Sequence, residues 1–177
     1  MMTFALRRVS LAGLLIFGST MVFSVEPPDK APSEPVADER PVMQISTKQG
    51  TVDCANRHVE VLAEDAELTF TGKCLELYFL GKNSHATIED ATLVQVVADD
   101  VAVVVEGALG ELRQLGHGGR HRLGNTGSAY VQGDANELSA NTLGSLELIG
   151  SRNRVQWRSG KPVINDLGKD NQVQASR

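Results

Sequence analysis

Apolar and polar residues alternate in short runs along this chain, and the runs recur. The octets "GDANELSA" at Gly133, "GSRNRVQW" at Gly150 and "GKDNQVQA" at Gly168 share a Gly, an Asn three residues on, and apolar or small residues at the fifth and seventh places after the Gly. The same spacing reaches back to "GHGGRHRL" at Gly116, "ADDVAVVV" at Ala98, "GKNSHATI" at Gly81 and "AEDAELTF" at Ala63, always in steps of 17 or 18 residues. The fifth and seventh places hold Leu68 and Phe70, Ala86 and Ile88, Val103 and Val105, and His121 and Leu123. They continue as Leu138 and Ala140, Val155 and Trp157, then Val173 and Ala175. The fourth and sixth places are mostly polar, among them His85 and Thr87, Arg120 and Arg122, Glu137 and Ser139, and Arg154 and Gln156. Period-two alternation marks a strand with one buried face. A second apolar stretch follows in most units, as in "CLELYF" (74–79), "TLVQVV" (92–97), "SAYVQ" (128–132), "SLELI" (145–149) and "PVIND" (162–166). Each unit therefore predicts strand, turn, strand, turn.

A fixed period decides the architecture. Consecutive hairpins would point identical octets in alternating directions and could not set like on like, whereas successive coils do. The expected fold is all-β, a parallel β-solenoid of about seven 17–18-residue coils with two short strands per coil. At about 4.8 Å per coil the seven span roughly 34 Å. The lumen is thin and is filled by side chains. The Asn at the third place (Asn136, Asn153, Asn171) is expected at a corner, where Asn tolerates left-handed backbone angles and stacked Asn side chains bond to one another. Ser84, Val101 and Gly119 stand in its place in three units, which points to a tolerant structural position.

The N-terminal part carries a different signature. Arg7 and Arg8 precede an apolar run from Val9 to Phe23, and Val22 and Ser24 suit a cut after Ser24, so residues 1–24 read as an export signal. The run is short for a membrane span, which takes about 20 apolar residues; an uncleaved inner-membrane anchor is the alternative. Residues 25–42 hold five of the six prolines, Pro27, Pro28, Pro32, Pro35 and Pro41, and read as a stiff solvated linker. The solenoid domain is expected over 43–177, in the periplasm or outside the cell. The two cysteines, Cys54 and Cys74, most simply form one disulfide in an exported protein.

An early Cys, "LTFTGKC" with the second, and repeated Gly/Asn units behind an export signal resemble the bacterial family catalogued as domain of unknown function 3060. The resemblance rests on Cys54, the "TGKC" around Cys74 and the starts at 133, 150 and 168, and would span about residues 45–175. The units at Ala98 and Gly116 depart from it, having no Asn at the third place. It implies exported proteins with repeated strands and no established activity, and supplies no catalytic residues.

Candidate chemistry is sparse. Enzymes with a left-handed β-helix hold zinc through three histidines, but their coils have three six-residue rungs, unlike the two strands here. His85, His117 and His121 are therefore not assigned a metal, and His121 is expected to satisfy a backbone carbonyl from an inward position. Asp99 and Asp100 read as turn residues. "GHGGRHRLGNTG" (116–127) reads as one corner plus an irregular outer loop, since no helix follows to make a phosphate cradle. No catalytic residue and no cofactor is predicted; a small carbohydrate-active or zinc-dependent enzyme is the rival from another class.

Charge adds one surface. Residues 45–112 carry 12 Asp/Glu and 4 Lys/Arg, a balance of −8, and residues 113–177 carry 5 and 9, a balance of +4. Arg120, Arg122, Arg154, Gln156 and Arg158, with Gln172 and Gln174, are expected on or near one outward face, where regularly spaced guanidinium and amide groups suit an anionic glycan or envelope polymer. The unlike halves also suit head-to-tail self-association. Nucleic acid is excluded as a partner by the acidic total and the lack of exposed aromatics for stacking.

Overall fold

The computed structural model describes residues 41–176, so the predicted export signal and all of the linker before Pro41 lie outside the described residues. Twelve strands form one sheet. They are β1 (Val42–Ile45), β2 (Gln49–Asp53), β3 (His58–Val61), β4 (Glu67–Phe79), β5 (His85–Val96) and β6 (Ala102–Val105), then β7 (Ala108–Gln114), β8 (Arg120–Gln132), β9 (Glu137–Ile149), β10 (Arg154–Ser159), β11 (Val163–Asp166) and β12 (Gln172–Ala175). Every pairing between named strands is parallel. Parallel pairing of sequential strands at a fixed step winds the chain into a solenoid.

One face is built from β2, the first parts of β4 and β5, β6, the first parts of β8 and β9, β10 and β12. The second face is built from β1, β3, the later parts of β4 and β5, β7, the later parts of β8 and β9, and β11. The solenoid has about eight turns, against the seven expected. The added turn comes from β1 and β2, whose connection "STK" has three residues where later corners have four or five. In β4, β5, β8 and β9 the two predicted short strands run together as one bent strand of 12 or 13 residues.

The inward columns are the alternating positions read from the sequence. Leu138 pairs with Val155, and Val155 with Val173, as vertical neighbours. Leu68, Ala86, Val103, His121, Leu138 and Val155 stack in one buried column, with Phe70, Ile88, Val105, Leu123, Ala140 and Trp157 beside it. Across the lumen stand Leu77, Val94, Leu112, Ala129 and Leu146. Phe70 meets Phe79 edge-to-face there, with ring centroids 6.2 Å apart. Burial of a Val, Leu or Phe side chain contributes about 1.5–3 kcal/mol, so the column supplies the main driving force for stacking. In the last coil Val173 is half-buried and Ala175 exposed. The Cys54–Cys74 disulfide, with Cα atoms 4.9 Å apart, fastens the early coils to one another.

The corners meet one expectation, since stacked Asn side chains bond to one another, Asn153 Nδ2 donating to Asn171 Oδ1 at 3.2 Å, and depart from the other. The left-handed backbone belongs to the second residue after each start, namely Asp65, Asn83, Asp100, Gly118, Ala135, Arg152 and Asp170, with φ between 53° and 67°. Asp, Asn and Gly reach this region most readily. The Asn at the third place has an ordinary backbone and a side chain that bonds between coils. Its Oδ1 accepts from the third-place amide one coil back: Gly119 N to Asn136 at 2.8 Å, Asn136 N to Asn153 at 2.9 Å, and Asn153 N to Asn171 at 2.9 Å. Its Nδ2 donates to the preceding start carbonyl, from Asn136 to Gly116, Asn153 to Gly133 and Asn171 to Gly150. Ser84 reproduces the pair with one hydroxyl, accepting from Ala66 N and donating to Ala63 O. The start glycines are needed for close approach: a Cβ on Gly133 would collide with the Gly116 carbonyl, and its φ of 137° already suits only glycine.

Residues 116–127 are not an irregular loop. Only 116–119 form a corner, and Arg120–Gln132 is the continuous strand β8, laddered to β6, β7 and β9. The glycines that look loop-like let backbones touch: Gly124 is buried, and a Cβ there would strike the Gly107 carbonyl.

Candidate functional site

The first face presents its outward side chains in columns set by the register. The fourth-place column reads His85, Ala102, Arg120, Glu137, Arg154 and Gln172. The sixth-place column reads Thr87, Val104, Arg122, Ser139, Gln156 and Gln174. Arg158 continues the outward alternation of Arg154 and Gln156 along β10. The five predicted residues thus share one face. Arg120, Arg122, Arg154 and Gln156 line a shallow open trough of about 710 Å³. A second, of about 660 Å³, holds Arg158 and shares Arg122, Ser139 and Gln156 with the first.

Two acids interrupt this surface, and the sequence reading gave them no role. Glu137 lies between Arg120 and Arg154 in the column, its Oε1 3.9 Å from an Arg154 guanidinium nitrogen. Glu106 lines the second trough. Four arginines against two glutamates leave +2 on the strip. Arg154 Nε also donates to Gln172 Oε1 at 3.2 Å, which orders the end of its side chain. The Glu137–Arg154 pair is more than half exposed on both sides, so it holds the arginine only weakly. The signal for Glu137 was present, since it occupies the fourth place of its octet.

The histidines do not converge. His85 is exposed on the first face. His117 sits at a corner, its Nδ1 accepting from Asp134 N at 2.9 Å while its own amide donates to Asp99 at 2.7 Å. That contact makes Nδ1 the unprotonated nitrogen of the neutral ring. His121 points inward as expected, but its partner is a side chain rather than a backbone carbonyl. Its Nε2 lies 2.9 Å from Gln114 Oε1 across the lumen, which makes Nε2 the donor. Burial lowers its pKa from 6.5 to about 4, because the core cannot solvate an imidazolium. His121 Nδ1 and Gln114 Nε2 have no hydrogen-bond partner among the described residues. Among the described residues no three His, Cys, Asp or Glu side chains are placed to hold one metal ion.

No curated protein and no solved structure matches the chain. The region from the start of β8 to the last corner, which includes the octets at Gly133 and Gly150 but lies beyond both cysteines, is matched by a family model. Residues 121–170 match the family described as Protein of unknown function (DUF3060).

Proposed function

We propose that the protein is an exported, non-enzymatic solenoid that binds an extended anionic polymer, such as an acidic glycan of the cell envelope, along its first face. The observation that carries this reading is the register. It sets Arg120 and Arg154 two coils apart in one column, about 10 Å, with Arg122, Gln156 and Arg158 beside them on the same open surface. A repeating array of cations and amides suits a repeating polyanion, since each guanidinium offers a fork of donors to a carboxylate or sulfate. A shallow trough open along the rod suits a chain ligand better than a small molecule. Export is supported by Arg7, Arg8 and the apolar run to Phe23, and by a disulfide of the kind that persists in oxidising compartments.

The test is an array of sulfated and uronic-acid glycans probed with wild type and with the R120A/R122A/R154A variant. The reading expects binding that weakens with salt and falls at least tenfold in the variant. Glu137→Gln should tighten it by removing the carboxylate between two arginines. Binding that is equal in wild type and the triple variant, or no polyanion bound at all, would reject the proposal.

A further inference from the structure

One corner of the solenoid carries an apolar column that the polymer-binding face does not use. The residues that follow β3, β4, β5, β7 and β11 and the last residues of β8 and β9 stack in register as Leu62, Leu80, Val97, Leu115, Gln132, Ile149 and Leu167, continuing from Ser46 after β1. Leu62, Leu80, Val97 and Leu167 are four of the seven exposed large apolar side chains among the described residues, at 40%, 46%, 44% and 62%. Leu115 and Ile149 are half-buried in the same column, and Gln132 is the one polar member between Leu62 and Leu167. The amides of Leu62, Leu80, Val97, Leu115 and Leu167 all donate one coil back, to Ile45, Val61, Phe79, Val96 and Leu148. This backbone ladder holds the side chains in a straight row. The row spans about 29 Å at the usual strand spacing. A continuous aliphatic row on a surface is a mark of a partner.

We propose that this row is the contact for a second copy of the chain, packed side by side and antiparallel about a two-fold axis through Leu115. Two observations choose this occupant and orientation. Leu115 is the middle member of the stretch from Leu62 to Leu167, so antiparallel pairing sets Leu115 on Leu115, Leu80 on Ile149 and Leu62 on Leu167, with Val97 packed on the Gln132 side chain. The charge of the chain also changes sign at that point, from −8 over residues 45–112 to +4 over 113–177. Antiparallel packing sets the acidic half of each copy against the basic half of the other, whereas parallel packing sets like on like. The contact is isologous and closes at two copies. In the corner column beside the row, Glu64 of one copy then faces Lys169 of the other and Lys82 faces Ser151, while Asp99 faces Asp134 across the axis. The row is narrow, so the dimer is expected to depend on concentration and to weaken with salt.

Single-cysteine variants of the full chain test both occupant and orientation. Under mild oxidation Leu115→Cys should cross-link to itself in high yield. Leu80→Cys alone and Ile149→Cys alone should give little, and an equimolar mixture of those two should cross-link to each other. Sedimentation of wild type should show mass rising with concentration to two copies and no further, and Val97→Asp should shift it to one copy with an unchanged circular dichroism melt. The mixture of Leu80→Cys and Ile149→Cys decides the matter independently should Leu115→Cys fold poorly. A wild type of one copy at every concentration, self-cross-linking of Leu80→Cys equal to that of Leu115→Cys, or assembly that continues past two copies would each overturn the proposal. None of these outcomes depends on polymer binding by the first face.

Discussion

The buried His121–Gln114 pair makes the sharpest prediction about stability. Replacing His121 with Leu should destabilise the protein although it adds an aliphatic residue between Val103 and Leu138. The Gln114 amide, fully buried, loses its one side-chain partner, and leaving a buried polar group unpaired costs about 1–3 kcal/mol. Replacing both, as H121L/Q114L, removes the polar groups together and should restore stability to near wild type or above it. The pair also carries a pH signature. With a folded pKa of about 4 against an ordinary 6.5, the unfolded chain takes up the proton first as pH falls. Stability is therefore full above 6.5 and declines through the window down to about 4. Between pH 7.5 and pH 5 the loss from this one group is about 2 kcal/mol. Urea unfolding followed by circular dichroism at the two pH values should show wild type losing about 2 kcal/mol more than the double variant. Equal losses in the two proteins, or a His121→Leu variant more stable than the double, would refute the reasoning.

Other perturbations test the corners, the ladder and the bridge. Asn153→Ala orphans the amide of Asn136 and the carbonyl of Gly133, and should lower unfolding free energy by about 2–4 kcal/mol. Asn171→Ala, at a more exposed corner, should cost less in the same urea titration. Gly124→Ala should cost more than about 2 kcal/mol, because its Cβ meets the Gly107 carbonyl inside the ladder; a neutral result in thermal unfolding would restore the view of 116–127 as a loop. The C54A/C74A variant should lose about 3 kcal/mol, read as a lower urea midpoint, with the later coils unchanged in amide exchange.

The stacked columns were legible because alternation and a constant step are properties of the chain itself: Leu138, Val155 and Val173 could be aligned without knowing where they point. The first turn was not, because the Ser46–Lys48 corner has three residues where the later ones have four or five, which breaks the constant step. The composition of 116–127 misled, since glycine marks both loops and places where two backbones touch, and only the neighbouring coil tells them apart. The third-place Asn was placed at the corner correctly and expected to bond between coils, as Asn153 does to Asn171, but the left-handed angle was assigned to it wrongly. Its side chain bridges coils while the residue before it takes the left-handed angle, a division of labour that leaves no trace in one octet. Arg120, Arg122, Arg154, Gln156 and Arg158 could be put on one face from their octet places. The acids among them needed the register read as columns rather than as a search for cations. Nor could the sequence pair His121 with Gln114, seven residues apart and across the lumen.

The solenoid itself is tested most directly by distances between spin labels placed in one outward column. Labels at Gln174 paired with Val104, Thr87 or Thr69 lie four, five and six coils apart. Pulsed electron resonance on the three pairs should give distances growing by about 4.8 Å per coil, near 19, 24 and 29 Å before the common label offset. Distances that fail to rise together, or that rise in unequal steps, would contradict in-register stacking of the coils.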